Sequence, residues 1–203
     1  MLSLQNSKTI VFEAPTGSGK TVMAAEFLKR LTENGITENR FSFIWVAPRK
    51  LHGQSKDKLE KYFIDNKALK CSFFEDLMDK RITENEILFL NWESINQKDN
   101  IYIRENEQDL NLSNILQNTR DDGNTIVLVI DESHHAAKTE ISKGLISMFN
   151  PKITIEVSAT PRLQGDEKIT VYREKVIAEE MIKKQISINP DAENIITGQI
   201  NNG

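Results

Sequence analysis

The chain has 203 residues, of which 38% are hydrophobic and 28% charged, which suits one domain of ordinary size with a substantial core. Its formal net charge of −4 excludes a global basic field, so any surface that binds nucleic acid has to be a local patch. The single cysteine, Cys71, excludes an internal disulfide, and with no signal peptide or membrane-spanning apolar run in sight we expect a cytoplasmic protein that does not engage a membrane.

Short β-branched runs alternate with longer stretches of helical periodicity along the chain. The predicted strands are 9–14, 41–47, 70–74, 87–91, 126–130 and 153–157. The predicted helices are 21–31, 51–64, 105–120 and 139–149. The first helix is expected to bury the face that carries Val22, Ala25, Leu28 and Leu31. Because strands and helices alternate, we predict an α/β fold with a mainly parallel sheet covered on both sides.

The character of the chain changes after Pro161. Residues 168–171 and 173–176 are expected to form a hairpin or an extended excursion, followed by a short helix over 177–184. Residues 187–203 are rich in asparagine and other polar side chains, which is typical of a linker or tail. We therefore expect one domain over 1–186 and a polar segment over 187–203.

A glycine-rich segment joins the first predicted strand to the first predicted helix, which is the setting of a Walker A phosphate loop. The segment consists of Ala14, Pro15, Thr16, Gly17, Ser18, Gly19, Lys20 and Thr21. Lys20 is expected to reach the β- and γ-phosphates of ATP, and the Thr21 hydroxyl to ligate Mg²⁺. Ala14 stands where the strict pattern has glycine. The alternative is an ordinary Gly-Ser loop with an incidental lysine, which the flanking elements disfavour.

Two carboxylates, Asp131 and Glu132, follow the fifth predicted strand, at the edge where open α/β sheets bind ligands. Asp131 is expected to hold Mg²⁺ through water, and Glu132 to orient and polarise the water that attacks the γ-phosphate. On their own, two such carboxylates are equally typical of helix caps. His134 is a candidate for a hydrogen bond near the γ-phosphate. A zinc site with His135 is disfavoured because no further ligands are evident.

Two short strings carry a resemblance to a known family. Residues 131–134, Asp-Glu-Ser-His, match the DExH box of superfamily 2 helicases, and Ser158, Ala159 and Thr160 match motif III of that superfamily. The resemblance covers about 9–161 and implies the first of two RecA-like domains, a three-layer P-loop NTPase fold. It also implies hydrolysis of ATP with Mg²⁺, with the motif III residues coupling hydrolysis to work on nucleic acid.

A third string resembles motif Ia of the same superfamily and predicts where nucleic acid binds. Pro48, Arg49 and Lys50 lie where the second strand gives way to a helix, and Gln54 follows one helical turn later. From charge alone a solvated basic turn is the simpler interpretation, and the resemblance reverses that preference. Trp92 is a candidate for base stacking, although a tryptophan that anchors the sheet edge is favoured.

The finer resemblance is to the Res subunits of type III restriction enzymes, and it rests on residues 131–135, 90–93 and 176–184. Those proteins are DNA-dependent ATPases that work with a modification (methyltransferase) subunit, so the resemblance implies DNA as the track. An RNA helicase or another superfamily 2 motor stays open, because these motifs do not distinguish DNA from RNA.

The second RecA-like domain that the resemblance implies, with its arginine fingers, has no counterpart in the sequence after Pro161, and a nuclease motif is absent there as well. We therefore expect the chain to rely on such a domain for catalysis and to hydrolyse ATP slowly by itself. A nucleotide-binding module without efficient catalysis is the remaining alternative.

Overall fold

One parallel sheet organises the part of the chain that the computed structural model describes, namely residues 7–33, 40–65, 67–77, 79–96, 111–132 and 146–179. The strands are β1 (Lys8–Glu13), β2 (Arg40–Ala47), β3 (Lys70–Ser72), β4 (Glu86–Asn91), β5 (Asn124–Asp131), β6 (Ile153–Ser158) and β7 (Glu167–Thr170). Their order across the sheet is β3-β4-β2-β5-β6-β1-β7, and every pairing is parallel. The predicted α/β fold is confirmed.

Helices cover both faces of this sheet. They are α1 (Lys20–Thr32), α2 (Leu51–Phe63), α3 (Trp92–Asn96), α4 (Leu112–Asp121) and α5 (Arg173–Ala178), and residues 146–149 are also helical. The central strands are apolar on both sides because two cores sandwich them. In β2, Phe43 and Trp45 face the core beneath α1 and α2, whereas Ile44 and Val46 face the core that contains α3 and α4. The result is the three-layer arrangement of a P-loop domain.

The segment after Pro161 differs from the prediction. Of the two alternatives predicted for 168–176, the hairpin is wrong: the first part is extended, as β7, a seventh parallel strand that pairs with β1, and Arg173 begins α5. The physical reason lies in the outer edge of β1, whose backbone groups β7 satisfies: the amide of Val171 donates to the carbonyl of Glu13 at 2.8 Å. The predicted helix over 177–184 overlaps α5 at its start. Residues 180–203, and with them the polar tail, lie outside the described part of the chain.

Helix and strand ends account for the other corrections. Of the helix predicted over 105–120, residues 105–110 lie outside the described chain; α4 begins at Leu112, because Asn111 is extended and its side chain caps the helix by accepting from the Asn114 amide at 2.8 Å. Val22 is 39% exposed, since Lys20 and Ala24 hold the inward positions of the first turns of α1. β3 ends at its third residue, and 74–76 form a 3-10 turn. Of the helix predicted over 139–149, residues 139–145 lie outside the described chain.

None of the helices in the described ranges has both the length and the apolar character that crossing a membrane requires.

Candidate active site

The glycine-rich loop turns directly from β1 into α1. Gly17 and Gly19 have φ angles of 84° and 81°, in the left-handed region that residues with a Cβ rarely adopt. Gly19 is the N-cap of α1, so the helix begins at Lys20 with its N-terminus directed into the loop. Ala14, in the position where a strict motif has glycine, is buried, and its amide donates to the carbonyl of Ser158 at 3.2 Å. The loop is thereby attached to the carboxyl end of β6.

A cleft of about 540 Å³ opens in front of this loop, within the ~300–1,000 Å³ typical of small-molecule sites. Three parts of the chain line it: the loop and the start of α1, one face of α2, and the residues that follow β5. The lining residues are Thr16, Gly17, Gly19, Lys20, Thr21, Leu51, Gln54, Ser55, Lys58, Asp131 and Glu132. The fold thus brings the predicted phosphate loop and the predicted acidic pair together, although more than a hundred positions separate them.

Lys20 is the buried cation of the cleft. Its side chain is 7% exposed, and its Nζ lies 3.4 Å from Oε1 of Glu132 and 3.4 Å from the carbonyl of Pro15. A buried ammonium requires a partner of opposite charge, and in this conformation Glu132 provides it. A phosphate group in the cleft would compete with Glu132 for the same ammonium.

Asp131 ends β5 with a buried carboxylate. Burial raises its pKa to about 6, and the negative charge of Glu132 adds to the shift, while Ser55, Trp45 and Lys20 act in the opposite direction. Its Oδ2 accepts a hydrogen bond from the Ser55 hydroxyl at 3.2 Å. A carboxylate held in this way is costly while it is charged and without a cation, so it favours a positive ligand.

Glu132 follows in a strained backbone conformation with a φ angle of 52°. Its amide donates to the carbonyl of Val157 on the neighbouring β6 at 2.9 Å, which holds the turn in place. Left-handed φ angles at residues other than glycine are uncommon and cluster at functional sites. Here the turn directs the Glu132 side chain toward Lys20 and into the cleft.

The end of β6 connects the two halves of the cleft. Its Val157 carbonyl receives the Glu132 amide and its Ser158 carbonyl receives the Ala14 amide, so the acidic turn and the phosphate loop are both bonded to it. The Ser158 side chain is fully buried, and its Oγ accepts from the amide of Thr160 at 3.2 Å. Ala159 and Thr160 follow at the surface side of this turn.

The donor groups of the cleft fit a magnesium ion that arrives with a nucleotide. Mg²⁺ keeps several waters and is bound by one or two carboxylates together with substrate phosphates. Thr21 and Asp131 line the same cleft and offer one hydroxyl and one carboxylate. In the described ranges no group of three or more His, Cys, Asp or Glu side chains is placed to hold a metal by itself. This donor set is therefore suited to a metal shared with phosphates.

Ser18 completes the loop from inside. Its side chain is fully buried, and its Oγ has no hydrogen-bond partner among the described residues. An unpaired buried hydroxyl is uncommon, and since Ser18 is not among the residues that line the cleft, no ligand contact is assigned to it.

The predicted nucleic-acid residues are split between two places. Arg49 has a φ angle of 54°, and its amide donates to Oε2 of Glu93 at 2.6 Å, so a carboxylate of α3 fixes the turn that follows Pro48. Lys50 is exposed at the N-cap of α2. Gln54, expected beside them on nucleic acid, instead lines the cleft.

The structure decides against base stacking by Trp92 and does not describe the two histidines. Trp92 is 6% exposed and belongs to the core beside α3, so it anchors the sheet edge, as favoured, and offers no face for base stacking. His134 and His135 lie outside the described residues.

The sequence interpretation missed the contribution of α2 to the cleft. Leu51, Gln54, Ser55 and Lys58 recur at intervals of three, one and three residues, which places them on one face of a helix. That spacing is visible in the sequence. What it does not reveal is that this polar face turns toward the phosphate loop, since a polar helix face is more often a solvated one.

The comparison with family models agrees with this geometry. Residues 2–163 match the family described as type III restriction enzyme, res subunit. The matched region contains β1 to β6 and every residue that lines the cleft, and β7 and α5 lie beyond it. No curated protein matches the chain.

Proposed function

Because the chain belongs to the type III restriction enzyme Res subunit family and carries its helicase-like ATP-binding domain, we propose that it hydrolyses Mg²⁺·ATP as part of a DNA-dependent translocase. The observation that supports this most directly is the convergence of Lys20, Asp131 and Glu132 on one cleft beside a glycine-rich loop. Phosphoryl transfer requires positioning and charge neutralisation more than covalent chemistry, and these groups provide both.

The contacts of the cleft support the following proposed role for each residue. Bound Mg²⁺·ATP supplies the γ-phosphoryl group and the cation that neutralises its oxygens. Thr21 and Asp131, which line the cleft, would hold that cation. Lys20 exchanges its contact with Glu132 for the β- and γ-phosphates. Glu132, released from Lys20, accepts a hydrogen bond from the attacking water and orients it toward phosphorus.

The end of β6 is our candidate for coupling hydrolysis to movement. Ser158 is joined to the phosphate loop by the hydrogen bond from the Ala14 amide, and Val157, the residue before it, accepts the amide of Glu132. The buried carboxylate of Glu156 also accepts from the amides of Arg162 and Leu163 at 2.7 and 2.8 Å. A shift of either motif on nucleotide binding therefore reaches the segment that follows β6.

A second RecA-like domain completes the proposed enzyme. Among the described residues that line the cleft, the cations are Lys20 and Lys58, and no arginine is present. An arginine finger is worth about 10³–10⁵ in rate, so the proposal assigns it to the other domain. By family membership we propose DNA as the track, with Arg49 and Lys50, in the turn after Pro48, on its phosphates, and a modification subunit as a partner in the cytoplasm. The domain itself is proposed to span 1–186, with 187–203 as the link.

Phosphate release by the purified chain tests this proposal, with duplex DNA, single-stranded DNA and RNA in separate arms. We expect slow turnover that DNA stimulates little, because the second domain supplies the missing arginine. Glu132→Gln keeps the shape of the side chain but removes the carboxylate, so it should abolish the remaining turnover while Mg²⁺·ATP still binds. Robust DNA-stimulated turnover that is lost in Glu132→Gln would contradict the assignment of the arginine to another domain. If RNA stimulated phosphate release and DNA did not, RNA and not DNA would be the track.

A further inference from the structure

One polar face of α2 forms a wall of the cleft opposite the phosphate loop. Gln54 and Lys58 on this face are exposed, whereas Ser55 between them is 5% exposed. A serine inside a helix usually points to solvent or bonds to the carbonyl four residues earlier. Here the Ser55 hydroxyl donates to Oδ2 of Asp131 at 3.2 Å, across 76 positions of sequence.

This hydrogen bond occupies one of the two oxygens of the Asp131 carboxylate. The cation of the cleft, Lys20, lies against Glu132, so a neutral donor holds Asp131. A hydroxyl orients a carboxylate without neutralising it, whereas an ammonium in the same place would compete with a metal ion. The Ser55 hydroxyl therefore orients a carboxylate that lines the cleft and leaves its negative charge in place.

We propose that Ser55 is a positioning residue that fixes the Asp131 carboxylate for the Mg²⁺ that accompanies the nucleotide. The proposal rests on the function proposed above and adds a residue outside the phosphate loop and the acidic pair. A serine that merely joined α2 to the sheet would differ in one measurable respect: its substitution would not change how nucleotide binding depends on the metal, whereas substitution of a positioning residue would. Partners that orient a metal ligand typically contribute about 10–100-fold in metal affinity or activity.

The test is titration calorimetry of ADP binding with Mg²⁺ and, separately, with EDTA, using the whole chain. Ser55→Ala is expected to weaken the Mg²⁺-dependent binding about tenfold and to leave binding in EDTA unchanged. Ser55→Thr keeps the hydroxyl and should recover most of the loss. Ser42→Ala is the matched control: Ser42 is also fully buried, but its hydroxyl donates to the carbonyls of Ile82 and Thr83. We expect its affinity in Mg²⁺ to equal that of the wild type.

The outcomes separate a failure of the role proposed for Ser55 from a failure of the proposed function. If the wild type binds ADP in Mg²⁺ and Ser55→Ala binds it equally well, the role of Ser55 is wrong and the proposed function stands. Equal losses in Ser55→Ala and Ser42→Ala would also overturn the role, because they indicate general loosening. If the wild type shows no Mg²⁺-dependent binding, the proposed function fails and the inference with it. Should Ser55→Ala not fold, Ser55→Cys, with its weak thiol donor, carries the same expectation.

Discussion

Two buried carboxylates lie at opposite ends of the parallel strands, Glu86 at the amino edge of the sheet and Asp131 at the carboxyl edge, and their surroundings shift their pKa values in opposite directions. Glu86 begins β4 at the amino edge and is 1% exposed. Its Oε1 accepts from the Ser72 hydroxyl at 2.5 Å and lies 2.8 Å from Nζ of Lys70, and its Oε2 accepts from the amide and hydroxyl of Thr83 at 2.8 and 2.7 Å. Burial alone raises the pKa of Glu86, but these donors outweigh it, and its pKa lies below the ordinary value.

Asp131 ends β5 at the carboxyl edge, and its environment has the reverse effect. It is 5% exposed, and burial together with the charge of Glu132 raises its pKa to about 6 despite the Ser55 hydrogen bond. The amino edge therefore stabilises its carboxylate within the protein, whereas the carboxyl edge leaves one that a bound cation would satisfy. The comparison teaches that the buried carboxylate at the amino edge stabilises the fold, whereas the one at the carboxyl edge is suited to a ligand.

The isosteric substitution Glu86→Gln tests the first half of this comparison. An amide leaves some of the donors from Ser72 and Thr83 without an acceptor, and unpaired buried donors cost about 1–3 kcal/mol each. We expect the free energy of unfolding at neutral pH to fall by about 3 kcal/mol. Urea unfolding measures it, and a fall below about 1 kcal/mol would mean that the network around Glu86 contributes little.

The same isosteric change at the other edge, Asp131→Asn, should do the opposite. It removes a buried charge whose folded pKa of about 6 lies above its ordinary value of 3.8. We expect an unfolding free energy that is higher by roughly 1–2 kcal/mol at neutral pH without metal or nucleotide, because the deprotonated form is the disfavoured one. Urea unfolding in EDTA measures the change. A loss as large as that of Glu86→Gln would remove the distinction between the two edges.

Acid should reduce the contribution of Glu86. Since its folded pKa is depressed, the stability it provides is complete above its ordinary value of 4.5 and is lost as the pH falls through the folded pKa. The gap between wild type and Glu86→Gln is therefore expected to narrow below that value by at most ~1.4 kcal/mol per pH unit. Unfolding curves at several acidic pH values measure the gap, and a gap that widens in acid would contradict the direction of the pKa shift.

Lys70→Ala is expected to have the smallest effect. The lysine is 60% exposed, so water screens its ion pair with Glu86, and exposed pairs contribute about 0–1 kcal/mol. We expect a change in unfolding free energy near ~0.5 kcal/mol, since Ser72 and Thr83 still hold the carboxylate. A loss of unfolding free energy close to that of Glu86→Gln would show that the ion pair with Lys70, and not the buried donors, stabilises the Glu86 carboxylate.

The sequence predicts the parts of the fold and site that depend on local pattern. The phosphate loop, the buried run of β5 and the two carboxylates after it are contiguous strings with their own physical signatures, and the structure brings them into one cleft. The parallel sheet follows from the alternation of strands and helices.

The parts that depend on tertiary contacts were not predictable in this way. The sequence allows either a hairpin or an extended excursion over residues 168–176, and the pairing of β7 with β1, which decides between them, is a contact between distant segments. Ser55 and Glu86 look like ordinary surface residues, and their roles arise from partners on other elements. Val22 follows the helical period yet remains exposed, since the buried Lys20 takes the inward position.

The central claim, that the cleft at the carboxyl edge binds Mg²⁺·ATP through Lys20, is tested most directly by titration calorimetry of Mg²⁺·ATP into the wild type and Lys20→Ala. Lys61→Ala, which removes an exposed lysine of α2, is the matched control. The account predicts binding by the wild type and by Lys61→Ala, and affinity at least about tenfold weaker in Lys20→Ala, because a hydrogen bond to a charged group is worth ~1.5–3 kcal/mol. Equal affinity of wild type and Lys20→Ala would contradict it.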